Sequence, residues 1–269
     1  MNRFIFTGLC LLIGMAASSV FADDTLAGEA KAQVIKHYPK VPTIKVMLLN
    51  DVDGALVEVK GAYNVYDPKT LKKIESSFSS SSYYMYPTTD GLKWGAEYPG
   101  IYQILLVPDR PETTTLVQGI EYRGMLYCYQ IEGTIGFVNE VTIDDWAESM
   151  VALLTQDKPL EKEVFSALAI ASRTDAMYRI KHGVSKYWDV KADQVNYHGF
   201  AITRNDKPFL DAMRETKGMV LDTIALVDWF NGKPIPLADL QKQALEGKTA
   251  KGMLSGFFDQ KKILVLTSN

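Results

Sequence analysis

Asp144, Asp145 and Glu148 form an acidic first turn ahead of an apolar helical pattern. Neighbouring carboxylates can divide general acid and general base work when their surroundings hold them in different protonation states. More often such residues are the negative charges that a helix N-terminus attracts. Thr142 fits that second reading: Thr142, Ile143, Asp144 and Asp145 have the form of a capping box, with the hydroxyl taking a first-turn N–H and Asp145 reaching back. Other chemistry is thinly supplied. His37, His182 and His198 are too far apart for a paired-ligand motif, and the cysteines are only Cys10 and Cys128, so no metal site and no cofactor is expected. Ser172 and His198 belong to no recognisable triad pattern. Gly247, Lys248 and Thr249 look like the end of a phosphate loop, but Lys242 stands where its first glycine belongs, which leaves a surface turn.

The elements that position these residues change character along the chain. Asp23 to Lys40 has helical spacing at Leu26, Ala30, Val34 and Ile35, closed by Pro39 and Pro42. Period-2 runs follow at Ile44–Leu49, Leu56–Val59, Tyr63–Tyr66, Ile101–Val107, Glu121–Gln130 and Gly136–Val141. Asp53 and Gly54 between two such runs predict a hairpin. Ser76 to Tyr86, rich in Ser and Tyr, reads either as a strand or as a polar excursion. The period then lengthens to that of a helix through Trp146, Met150, Val151 and Leu154, and again from Leu160 to Lys181. Beyond His182 and Gly183 the pattern is irregular to Phe200. A helix at Pro208–Thr216 and strands at Met219–Val227 and Ile263–Thr267 complete it. Strands gathered ahead of helices predict an α+β fold with an antiparallel β-rich N-terminal part, a helical pair and further mixed strands.

Composition narrows the function. The chain of 269 residues is 47% hydrophobic and 23% charged, with a net charge of −3. No cationic excess is present to neutralise a phosphate backbone, so nucleic acid is not the expected partner. The N-terminus has Arg3, an apolar run from Phe4 to Val20, and Ala22 ahead of Asp23. That layout predicts a signal peptide over residues 1–22 and export to the periplasm or cell envelope. Cleavage there removes Cys10, leaves Cys128 as a lone thiol, and leaves no stable membrane span. Residues 23–43 then read as a lead-in segment and 44–269 as the domain proper, β-rich over 44–141 and helical and mixed over 142–269.

Short motifs in a shared order carry a resemblance. They are Tyr122-Arg123-Gly124, then Gly136 to Val141 (GFVNEV), Asp144-Asp145-Trp146, and Ala169 to Thr174 (AIASRT) with Ala176. Next come Asp193 to Tyr197 (DQVNY), Glu215 to Leu221 (ETKGMVL) and Gly232-Lys233-Pro234-Ile235. Together they resemble the stage II sporulation protein D / LytB amidase-enhancer (SpoIID/LytB) family, over roughly Ile44 to Thr249. The resemblance implies work on peptidoglycan glycan strands, either as a lytic transglycosylase or, in LytB-like members, with a cell-wall amidase as partner. The transglycosylase reaction needs one protonated carboxyl group to donate to the glycosidic oxygen.

In the family that acid is the Glu of V-V-P-S-E-M, and the alignment through Asp144-Asp145-Trp146 puts Leu154 in its place. Leucine cannot carry a proton, so the expectation is a glycan binder or amidase modulator without the usual acid. The alternatives are an active transglycosylase with a displaced acid and a secreted scaffold with no glycan affinity. Asp157 and Glu148 are the displaced-acid candidates, although Lys158 beside Asp157 is a poor neighbour for a proton donor. The family's H-C pair falls on Ala192 and Asp193, and of its S-C-S-G-G-x-T only Gly247 and Thr249 are present, so a metal is not implied here. Arg173 is retained, and on an otherwise small or apolar helix face it must reach either a glycan or an internal acid such as Glu140 or Asp145. Gln194 and Tyr197 are the further glycan-binding candidates, by hydrogen bonding and ring stacking.

Overall fold

The alternating apolar residues from Thr43 onward need a partner surface, and the chain supplies one by building two β-sheets that share a core. The structure, a computed structural model, describes residues 31–32, 34–35, 39–183, 185–222, 236–258 and 262–266. Twelve strands precede the first long helix: β1 (Thr43–Val52), β2 (Ala55–Lys60), β3 (Tyr63–Tyr66), β4 (Lys73–Ser77), β5 (Ser81–Thr88), β6 (Gly91–Trp94), β7 (Ala96–Pro99), β8 (Gln103–Pro108), β9 (Thr114–Val117), β10 (Ile120–Tyr122), β11 (Met125–Ile131) and β12 (Thr134–Thr142). The second part holds α1 (Ile143–Thr155), α2 (Lys162–His182), β13 (Val190–Lys191), α3 (Ala192–Val195), α4 (Lys207–Glu215), β14 (Met219–Leu221), α5 (Leu237–Leu245), α6 (Ala250–Phe257) and β15 (Ile263–Val265). This is the α+β arrangement expected from the strand-then-helix order. The chain divides into a unit over residues 1–38 and a unit over 39–269, and the second contains all of these strands and helices. The signal-peptide segment, most of the expected lead-in helix and the motif at 232–235 lie outside the described residues.

The larger sheet runs β13-β1-β12-β11-β8-β3-β4 and the smaller β10-β9-β2-β5-β6-β7, while β14 and β15 form a separate antiparallel pair. Every pairing in the two large sheets is antiparallel except β1 with β13. One core joins the two sheets and the helices. Ile44, Val46, Leu106, Leu126 and Phe137 come from the larger sheet, Val57, Met85, Leu92 and Trp94 from the smaller, and Trp146, Met150, Phe165 and Leu168 from α1 and α2. Tyr63 of β3 stacks obliquely on Trp94 of β6 at 5.5 Å and its hydroxyl meets Ser81 at 2.8 Å, tying the sheets at one end.

The sheets correct the expectation at Asp53 and Gly54. β1 and β2 do not pair with each other: β1 lies between β12 and β13, and β2 between β5 and β9. Glycine is required at 54 because a Cβ there would stand 2.6 Å from the Met85 carbonyl oxygen, so its role is to let β5 approach as the chain crosses between sheets. Ser76 to Tyr86 resolves as the end of β4, a turn and β5. Within Glu121–Gln130 the chain turns at Arg123 and Gly124, as that glycine signals, and there β10 leaves the smaller sheet and β11 enters the larger. The strands β6, β7 and β9 and the helices α5 and α6 lie where no element was expected, and the irregular stretch after Gly183 contains β13 and α3. Thr249 caps α6 by accepting the Gly252 N–H, so the phosphate-loop likeness is a helix-to-helix turn.

Gly124 carries the sheet-to-sheet crossing. It sits at φ +81°, and a Cβ on it would fall 2.3 Å from the Glu140 carbonyl oxygen. Gly119 has nearly the same φ, +80°, with no atom within 4 Å of that position. Gly119→Ala is expected to lose only the left-handed strain, about 1–3 kcal/mol, and Gly124→Ala a further ~1–3 kcal/mol of overpacking. Urea denaturation of the two variants checks this, and equal losses would contradict it.

Candidate functional site

The site expected from sequence lies around α1, whose N-terminal cap forms as Thr142 predicts. Its hydroxyl accepts the Asp145 N–H at 3.1 Å and donates to the Asp145 carboxylate at 2.7 Å, so the reach-back ends on the hydroxyl. Adjacent residues on a helix point about 100° apart, and the two aspartates accordingly serve different neighbours. Asp145 and Glu148 both accept from Arg123, at 3.2 and 3.1 Å, and that guanidinium lies over the Phe200 ring at 3.9 Å. Asp144 turns inward to α2.

Arg173 is fully buried there, and its Nε donates to Asp144 at 2.6 Å. The internal acid is thus Asp144, neither Glu140 nor Asp145. Glu140 is held instead by the hydroxyls of Thr43 and Tyr127, at 2.7 and 2.5 Å. The Arg173 guanidinium also donates to the Thr216 hydroxyl at 3.2 Å, and Asp144 accepts the Gly218 N–H at 3.1 Å. Next along α2, Thr174 accepts the Leu221 N–H at 2.9 Å. One ion pair with its flanking bonds therefore fastens α1, α2 and the segment from the end of α4 through β14. Burial pulls the Arg173 pKa below its usual value and Asp144 opposes that pull. A glycan on the surface cannot touch this side chain.

A second network surrounds Tyr197. It is also buried, its ring stacks on Trp146 at 5.0 Å, and its hydroxyl donates to the Asn139 side chain at 2.9 Å. Asn139 in turn donates to the carbonyls of Arg123 and Met125, at 2.8 and 3.1 Å, bracketing the Gly124 crossing. The Ser149 hydroxyl donates to the Gly199 carbonyl and anchors the loop after α3. Tyr197 is thus a framework residue, buried with its ring against Trp146, and not an exposed platform for a sugar. Gln194, by contrast, is exposed on α3, where its side-chain oxygen accepts the Lys191 N–H at 3.5 Å.

Leu154 lies in the last turn of α1, half-buried against the core. Asp157 is exposed in the α1–α2 loop. That loop is pinned by Arg204, which donates to the carbonyls of Gln156 and Lys158 while lying 4.8 Å from the Phe165 ring. Among the described residues no cluster of three His, Cys, Asp or Glu side chains could hold a metal ion. Sequence reasoning missed Asn139, Thr216 and Gly218. Their signal was present in the shared motifs, but only the tertiary structure shows that these motifs bond to one another.

Asp144→Ala strands a buried guanidinium and is expected to cost about 3–5 kcal/mol, whereas Asp144→Ala with Arg173→Met costs less than the sum of the single changes. Chemical denaturation of the cycle checks this, and additive losses would contradict it. Burial raises the Tyr122 pKa to about 12 and lifts Tyr197 well above its ordinary value. Their contribution to stability is therefore complete below the unfolded phenol pKa of about 10, and is lost as pH rises from there through the folded values. Ultraviolet titration should show these phenols ionising after the exposed tyrosines. Simultaneous ionisation of all tyrosines in the folded protein would contradict it.

Comparison with known proteins agrees with this geometry. Residues 131–222, which contain β12, both long helices and β14, match the family described as Stage II sporulation protein, SpoIID. The chain is 28% identical to an uncharacterized protein of Chlamydia muridarum, covering all of this chain and 91% of that one. It is also 28% identical to an uncharacterized protein of Chlamydia pneumoniae, over 84% of this chain and 83% of the relative. An uncharacterized protein of Brachyspira hyodysenteriae is 30% identical over 53% of this chain and 38% of its own length. No solved structure matches. Asp144, Arg173, Thr216, Asn139 and Tyr197 all lie within the matched residues, which carry the likeness to the cell-wall-related SpoIID family.

Proposed function

We propose that this is an exported cell-envelope protein of SpoIID type that binds peptidoglycan glycan strands, or modulates a wall amidase on them, without the usual catalytic acid. The observation that carries the reading is Leu154. At the acid's aligned position stands an aliphatic side chain that packs against the core, and no proton transfer can pass through it. The displaced-acid candidates do not replace it: Glu148 is engaged by Arg123, and Asp157 is exposed in a pinned loop. Export is supported by the apolar N-terminal run ending at Ala22. Of the three residues expected to meet the glycan, Gln194 is exposed, while Arg173 and Tyr197 are buried and bonded within the framework.

Sedimentation with insoluble peptidoglycan stripped of stem peptides tests this reading. The protein is expected to enrich in the pellet, and Gln194→Ala to reduce the retained fraction without shifting the unfolding midpoint. No enrichment above a protein of matched charge would overturn the glycan reading.

A further inference from the structure

A cleft of about 220 Å³ opens beside α3, bounded by β1 at Leu48 and Leu49, by the β9–β10 turn at Gln118, and by the segment from Ala192 to His198. Its floor is apolar, with Leu48, Leu49, Val117 and Ile120 lining it beside the two tyrosines at 122 and 197. Its rim is polar and exposed: Gln118, Asp193, Asn196 and His198. Each of the two turns carrying that rim holds a non-glycine residue in the left-handed region, Gln118 at φ 52° and Asn196 at φ 56°. Such conformations persist where the surrounding structure imposes them.

The rim carries a negative charge with no cation among the lining residues. His198 Nε2 lies 2.8 Å from the Asn196 side-chain oxygen. A neutral ring that donates Nε2–H there keeps Nδ1 as an acceptor. The Asp193 carboxylate only accepts, and the Gln118 amide adds an oxygen acceptor beside its NH2 donors. No lysine or arginine lines the cleft, and among the described residues none pairs with Asp193. Acceptors and a negative charge above an apolar floor complement a group with several N–H donors, a positive charge and a short hydrocarbon arm.

We propose that this cleft binds a primary ammonium group carried on a short aliphatic arm. Asp193 supplies the counter-charge, Nδ1 of His198 and the Gln118 oxygen take the remaining N–H donors, and the arm lies on Leu48, Leu49 and Val117. This site goes beyond the glycan reading and stands independently of it.

Isothermal titration of the full chain with n-butylammonium chloride, N-butylacetamide and N-acetylglucosamine tests the proposal. Saturable binding of butylammonium is expected, at least tenfold weaker in Asp193→Asn and restored in Asp193→Glu, with the neutral amide at least tenfold weaker on the native protein. Asp193 is exposed, so an unchanged unfolding midpoint confirms that Asp193→Asn is folded. Absence of saturable butylammonium binding, equal binding of the neutral amide, an unaffected Asp193→Asn variant, or displacement of butylammonium by the sugar at equal concentration would each overturn it. Retention on peptidoglycan is read separately, so failure of the glycan reading leaves this result standing, and the reverse.

Discussion

The buried ion pair between Asp144 and Arg173 is the constraint on which the helical half depends. A guanidinium taken out of water is tolerable only with a carboxylate in contact and its remaining donors satisfied. Here one carboxylate oxygen serves both the arginine and the Gly218 N–H, while Thr216 receives another guanidinium donor. The pair can therefore form only when α1, α2 and the approach to β14 are all in place. Like other buried pairs it is a weak source of net stability, and its value lies in making one arrangement of these segments far better than the rest.

That constraint changes what the family resemblance means. The motifs read along the chain are bonded to each other in space: the arginine of AIASRT to the threonine of ETKGMVL, the asparagine of GFVNEV to the tyrosine of DQVNY and to the strand break at Arg123-Gly124. They are the parts that hold this framework together, and their presence carries no information about catalysis. In the proposed reading the position of the chemistry is the one that differs, at Leu154, whose side chain is suited to the core it adjoins. Framework and chemistry are carried by different residues, so one can persist without the other.

What the sequence made legible divides in the same way. The run Ile44–Leu49 and the 3.6-residue period through Trp146, Met150 and Leu154 make a strand and a helix legible, whereas β12 is buried without a break from Ile135 to Val141 and α2 from Val164 to Ala176, so neither has one buried face to read. The strands β6, β7 and β9 hold only four residues each, too few to show a period, and they are strands because neighbours in the smaller sheet pair with them. Asp53 and Gly54 carry a hairpin signature, yet glycine is there for the close passage of β5. Arg173 was legible as a residue needing an acid, but whether Asp144 or Asp145 faces it turns on about 100° of helix rotation that the pattern of neighbouring apolar residues does not resolve. Tyr197 shows the same limit, since a tyrosine beside polar residues reads identically whether its ring meets a sugar or Trp146.

The proposed function, with leucine at the acid's position, has the protein hold glycan strands intact. The most direct measurement is mass spectrometry of denuded glycan strands after prolonged incubation with the purified protein, scoring 1,6-anhydro ends. The account predicts none above a protein-free control. Anhydro ends that accumulate with time and vanish in Glu148→Gln or Asp157→Asn would contradict it and identify a displaced acid.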